Sequence, residues 1–182
     1  ETDERCCRYV EQPDWIDAED DETGVPLVGT ADYFVSHSWD SPWESVVAAC
    51  VEHSDAQPQD AKPFYWIDIF AVNQHWPHSK YCCTQPGALD QCIGCFDMME
   101  DLPDWQLMQV SHDVGFERVI RHTRKTLLVM EPWGDPRPPT RVWCLYESYI
   151  SLQQPGGQLT VALGREQRRT MQMALQRKFG AI

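Results

Sequence analysis

From residue 32 onward, short apolar runs alternate with segments whose apolar residues recur at helical spacing. Tyr33-Phe34-Val35 is a run of strand formers, closed by Ser36-His37-Ser38-Trp39-Asp40-Ser41-Pro42. Trp43, Val46, Val47, Cys50 and Val51 then recur at i, i+3, i+4, i+7 and i+8, which predicts a helix with one apolar face. Ser41 is placed to cap it and Pro42 suits its first position. Phe64-Tyr65-Trp66-Ile67-Asp68-Ile69-Phe70 is nearly continuous in bulky residues, as a strand covered on both faces reads. Residues 96–124 read as largely helical, interrupted near Pro103 and Gly115. Thr126 to Met130 is a third apolar strand, and Leu159 to Leu163 a fourth.

Two more helices complete the series. Thr140 is a cap for one running from Arg141 to about Gln153, which Pro155-Gly156-Gly157 stops. Its expected buried stripe is Val142, Leu145, Tyr149 and Leu152, which leaves Trp143 and Glu147, four apart, together on another face. Arg165 to Phe179 is the last helix, with Met171, Leu175 and Phe179 spaced four apart.

This order of strands and helices predicts an α/β fold: a three-layer sandwich around a central parallel sheet, with flavodoxin-like topology and right-handed crossovers. In open parallel sheets ligands bind beyond the carboxyl ends of the strands. Those ends are predicted at Ser36–Asp40, Phe70–Asn73 and Glu131–Trp133, all mixtures of polar and aromatic residues. Either something packs against the tryptophans there, or Trp39 and Trp133 merely fasten loops.

Composition narrows the partners. The chain of 182 residues suits one domain of ordinary core, preceded by an arm at residues 1–30 in which Asp14 to Glu22 carries six acids. Trp15 and Ile16 are available to pin that arm. A net charge of −13 repels phosphate backbones, so nucleic acid is not an expected partner. No apolar stretch approaches the roughly 20 residues that span a bilayer. Cys50 and Cys144 sit inside apolar helical patterns and read as core thiols, which favours a reducing, cytoplasmic setting.

Residues 71–95 read as a loop or insertion rich in candidate ligands. His75, His78, Cys82, Cys83, Cys92 and Cys95 offer six metal-binding side chains, and Cys-x-x-Cys is a common zinc spacing. The pattern matches no standard finger, so structural zinc, free thiols and disulfides are all open. No phosphate-loop or Gly-x-Gly-x-x-Gly run is present, which disfavours nucleotide hydrolysis by a phosphate loop and hydride transfer.

Three of these elements, in order, resemble the Toll/interleukin-1 receptor (TIR) domain family. Asp32-Tyr33-Phe34-Val35-Ser36-His37 looks like that family's first box, and Trp66-Ile67-Asp68 resembles its second strand. Arg141-Val142-Trp143-Cys144-Leu145-Tyr146-Glu147 is the sharpest match, since plant and enzymatic members carry Trp-Cys-x-x-Glu opening the helix after the third strand. The resemblance runs from about Ala31 to the end of the chain. The loop after Asp68 departs from it, lacking the usual glycine and proline features.

The resemblance implies two alternatives: an enzyme that cleaves the nicotinamide–ribose bond of NAD, or a non-catalytic interaction module in signalling. Self-association is implied by both. For the enzyme, nicotinamide is already a good cationic leaving group, and a carboxylate is needed mainly to stabilise an oxocarbenium-like ribose. Glu147 is the matching catalytic residue; read without the family, it is a solvent-facing glutamate beside Trp143. Trp39 and Trp133 would stack on a base, and Ser36, His37 and Ser38 would hydrogen-bond ribose or phosphate. Arg141 would meet the pyrophosphate or pair with an acid. Asp68 would orient Ser36 or His37, or tie the strand end to a backbone N–H.

Overall fold

The computed structural model describes residues 9–58, 62–72 and 116–179. These fall into two compact units, one with residues 9–30, 67–72 and 116, the other with residues 31–58, 62–66 and 117–179.

The first unit holds a 3₁₀ turn (Tyr9–Glu11) and the short helix α1 (Pro13–Ile16). The Tyr9 ring lies 5.9 Å from Trp15 and 5.2 Å from Phe70. Ile16, an expected anchor, is exposed. The acidic stretch forms a turn, where Asp20 Oδ1 accepts from Thr23 N at 2.8 Å and Gly24 takes a φ of 64°.

The second unit is built on four strands: β1 (Tyr33–Ser36), β2 (Tyr65–Trp66), β3 (Lys125–Val129) and β4 (Gln158–Ala162). All pair in parallel, in the order β2-β1-β3-β4. The helices are α2 (Trp43–Asp55), α4 (Phe116–Thr123), α5 (Val142–Gln153) and α6 (Arg165–Phe179). The result is a parallel sheet flanked by helices, a generic flavodoxin-like α/β arrangement. Leu127 and Val129 on β3 have no exposed surface, and burying each such side chain contributes about 1.5–3 kcal/mol.

Side-chain alternation sorts the helices by face. Tyr33 and Tyr65, paired across β1 and β2, both meet His53 of α2. Ser36 and Thr126 point the other way and bond to Glu147 and Ser151 of α5. The two helices therefore cover opposite sides of the sheet.

The second strand is shorter than its sequence suggests. It ends at Trp66, and Asp68 opens a helical turn, α3 (Asp68–Ala71), in the first unit. Asp68 Oδ1 accepts from Ile69 N at 2.7 Å, a local bond of the kind that competes with a strand ladder. Asp68 is thus the first residue of a helix, not the strand end expected, and its carboxylate accepts the backbone N–H of the next residue.

On α2 the inward residues are Val46, Ala49 and Cys50, whereas Trp43, Val47 and Val51 are exposed. The helix also passes close to the chain beyond β4. A Cβ on Gly164, just past β4, would lie 2.9 Å from that of Ala48, so helix and chain approach as closely as glycine and alanine allow. Ser41 does not cap α2: Pro42 holds that position, and Ser41 Oγ is buried with no hydrogen-bond partner among the described residues. Likewise Thr140 donates to Arg137 O, and Arg141 is the cap residue of α5. On α6, Leu175 and Phe179 are exposed, and the helix has no buried residue. Arg165 and Arg168 pair with Glu52 and Asp55 of α2, contacts that contribute little where solvent screens them.

His53 sits in a closed network under this helix. Its Nδ1 is 2.7 Å from the Tyr65 hydroxyl, which donates to Cys50 O at 3.2 Å. His53 Nδ1–H then donates to the Tyr65 oxygen, and Nε2 accepts from the Gln57 amide at 3.4 Å. A neutral ring in this tautomer satisfies every group. Burial, then the charges of Arg168 and Lys125, hold the His53 pKa below 6.5. The unfolded chain therefore takes up a proton first as pH falls, so this contribution to stability is full above about pH 6.5 and is lost below it. Thermal melts from pH 7.5 to 5 should show the wild-type Tm falling more steeply than that of His53→Gln. Parallel slopes would remove His53 from the acid response.

Candidate functional site

The carboxyl end of β1 carries Ser36, and α5 crosses that end with Glu147 facing it. Ser36 Oγ donates to Glu147 Oε2 at 2.5 Å, with Ser36 buried and Glu147 only 7% exposed. This reverses the orientation expected for α5. Val142 (78% exposed), Leu145, Tyr149 and Leu152 face outward, and Cys144, Glu147, Ile150 and Ser151 face the sheet.

The sheet explains the roll. Its α5 side presents the Ser36 and Thr126 hydroxyls, and buried hydroxyls require partners. Glu147 and Ser151, four apart on one face, supply them. Ser151 Oγ donates to Glu147 O at 2.7 Å and stands 2.6 Å from Thr126 Oγ1, so Thr126 is the donor in that pair. Cys144, one turn before Glu147, donates from Sγ to His37 O at 3.3 Å. Desolvation, reinforced by the Glu147 charge, pushes the Cys144 thiol up, and burial alone takes Cys50 to about 12. Both are free thiols held protonated, not nucleophiles.

The residues after β1 form a tight loop over this pair. Ser38 is buried and serves the turn: its Oγ accepts from Asp40 N at 3.3 Å and its carbonyl from Ser41 N at 2.9 Å. Asp40 reaches across to Arg141, with Nη1 to Oδ2 at 2.7 Å. Arg141 thus pairs with an acid, one of its two expected roles, and both side chains are more than a third exposed, so the pair contributes at most about 1 kcal/mol. Trp39 and Trp143 stand on the surface at 68% and 64% exposure. Trp143 packs edge-on to Tyr146, whose hydroxyl donates to Glu117 at 2.9 Å.

Trp133, beyond β3, is tied through its backbone N–H to Gln167 of α6 at 3.1 Å. Asp68 belongs to the first unit. The site therefore gathers Ser36, His37, Ser38, Asp40, Arg141, Cys144 and Glu147 by direct contacts, with Trp39 and Trp143 exposed beside them in sequence.

Sequence reasoning missed one carboxylate. Glu131, at the carboxyl end of β3, is buried and accepts the backbone N–H of Gly164. By alternation from Leu127 and Val129 it falls on the α2 side, so it anchors the start of α6 rather than joining Glu147. An acid directly before Pro132 at a strand end was its only sequence signal.

Among the described residues, no group of three or more His, Cys, Asp or Glu is placed to hold a metal, and no helix is long and apolar enough to cross a membrane. His75, His78, Cys82, Cys83, Cys92 and Cys95 lie outside the described residues. Compared with known proteins, the chain matches no family model, no curated protein and no solved structure.

Proposed function

We propose that the second unit is a TIR-like domain that cleaves the nicotinamide–ribose bond of NAD, with Glu147 as the catalytic carboxylate. The observation that carries this reading is the buried Ser36–Glu147 pair at the carboxyl end of a parallel sheet. A carboxylate taken out of water is costly unless it is hydrogen-bonded, as Ser36 bonds this one, and stabilising a developing ribose cation is chemistry that it suits. Ser36 orients it, and in the Michaelis complex the ribose hydroxyls replace part of that bond. Trp39 and Trp143 supply flat apolar surface for a base, and Arg141 supplies a cation for phosphate once it exchanges Asp40. The product is ADP-ribose or a cyclic form, according to which nucleophile reaches the ribose carbon.

The test is incubation of the purified protein with NAD over a range of protein concentrations, followed by product chromatography. Nicotinamide should appear together with ADP-ribose or its cyclic isomer. Intact NAD at every concentration, including those at which the protein self-associates, would exclude the nucleosidase reading.

The outward face of α5 favours a second reading. Val142, Leu145, Tyr149 and Leu152 form an exposed apolar stripe that carries no charge. Such a stripe suits protein contact, as a signalling module without catalysis would use it. NAD consumption by the monomer would show that assembly is not the domain's whole role.

A further inference from the structure

The weakest-looking contact in the site is the one that joins loop to helix. Cys144 Sγ donates to the carbonyl of His37, the residue next to Ser36, at 3.3 Å. Ser36 in turn donates to Glu147, one turn along the same helix. Cys144 is therefore in contact with both halves of the pair's support: the backbone that carries Ser36 and the helix that carries Glu147.

A thiol suits this place for a reason visible on α5 itself. Both serines of that helix bond back to the carbonyl four residues before them, Ser148 to Cys144 O and Ser151 to Glu147 O, each at 2.7 Å. Hydroxyls on helices commonly make this local bond. A thiol is a weaker donor on a longer bond, competes less for the helix carbonyls, and is left to reach across to the loop.

We propose that Cys144 is a positioning residue, whose contact with His37 O keeps the Ser36 hydroxyl on the Glu147 carboxylate. Its catalytic consequence rests on the nucleosidase reading above; its structural consequence does not. The Asp40–Arg141 pair lies at the exposed edge of the same loop and cannot replace it, because salt and solvent screen that contact.

The experiment compares Cys144→Ala with Cys50→Ala. Both thiols are buried and free, so the two variants lose similar volume and should melt at similarly lowered temperatures. Only Cys144→Ala removes the link to the loop. In that variant, hydrogen exchange in peptides spanning residues 36–41 should quicken about tenfold, and kcat for nicotinamide release should fall about tenfold with KM within twofold, a fold-change of roughly 1.4 kcal/mol in the barrier. Cys50→Ala should leave loop exchange and kcat at wild-type values. Wild-type loop exchange in Cys144→Ala, or equal changes in both variants, would overturn the assignment. A wild-type protein that never releases nicotinamide would exclude the nucleosidase reading alone, and the exchange comparison would still decide the role of Cys144.

Discussion

Glu147→Gln should reduce nicotinamide release from NAD by roughly 10²–10³-fold while leaving the fold intact, the scale on which single preorganised electrostatic groups contribute to catalysis. The glutamine keeps the size of the side chain and an oxygen to accept the Ser36 hydroxyl, so the buried bond at 2.5 Å retains a partner. What it loses is the charge that, in the proposed reaction, faces a developing ribose cation. Glu147→Ala should be equally inactive and also less stable, because the Ser36 hydroxyl is left buried and unpaired at a cost of about 1–3 kcal/mol. Initial rates by chromatography, with thermal melts of both variants, separate the two effects. A Glu147→Gln protein that turns over NAD at the wild-type rate would take Glu147 out of the chemistry.

The strands were legible as short apolar runs, most plainly β1 and β3, which are buried almost throughout. Lys125–Val129 and Gln158–Ala162 fall within one residue of their expected positions. The rotation of α5 was not legible, for a geometric reason. Val142, Leu145, Tyr149 and Cys144, Glu147, Ser151 are two series of identical spacing, offset by two positions, which is about 200° round a helix of 3.6 residues per turn. Periodicity fits both, and hydropathy selects the wrong one, because it has no means of counting the hydroxyls that Ser36 and Thr126 bring to the other side. Glu147 in particular was expected on an outer face and is buried. The early end of β2 has a similar origin: Asp68 accepts a local bond from Ile69 N in a helical turn, which hydropathy does not register.

The polar stripe also makes the end of α5 sensitive to a residue far from any chemistry. Gly157 leads from that helix into β4, and a Cβ built on it would stand 2.1 Å from Ser151 O and 3.0 Å from Gln154 O. Both neighbours are backbone and cannot swing aside as a side chain would. Gly157→Ala must therefore move the last turn of α5 or the start of β4, where Gln158 N donates to Arg124 O at 2.8 Å. Overpacking of this kind costs about 3 kcal/mol, which in a chain of this size lowers Tm by roughly 6–12 °C. Because Ser151 bonds both Glu147 O and Thr126, the displacement reaches the helix turn that holds Glu147. Two other glycines calibrate the result. Gly156 has open space around its Cβ position but a φ of +73°, so Gly156→Ala should cost only the backbone term, about 1–2 kcal/mol. Gly134 has open space and no such φ, and Gly134→Ala should melt within about 0.5 kcal/mol of wild type. The order Gly157, Gly156, Gly134 in loss of Tm is the expected outcome, and a Gly157→Ala protein as stable as Gly134→Ala would mean that α5 and β4 do not meet as closely as Ser151 requires.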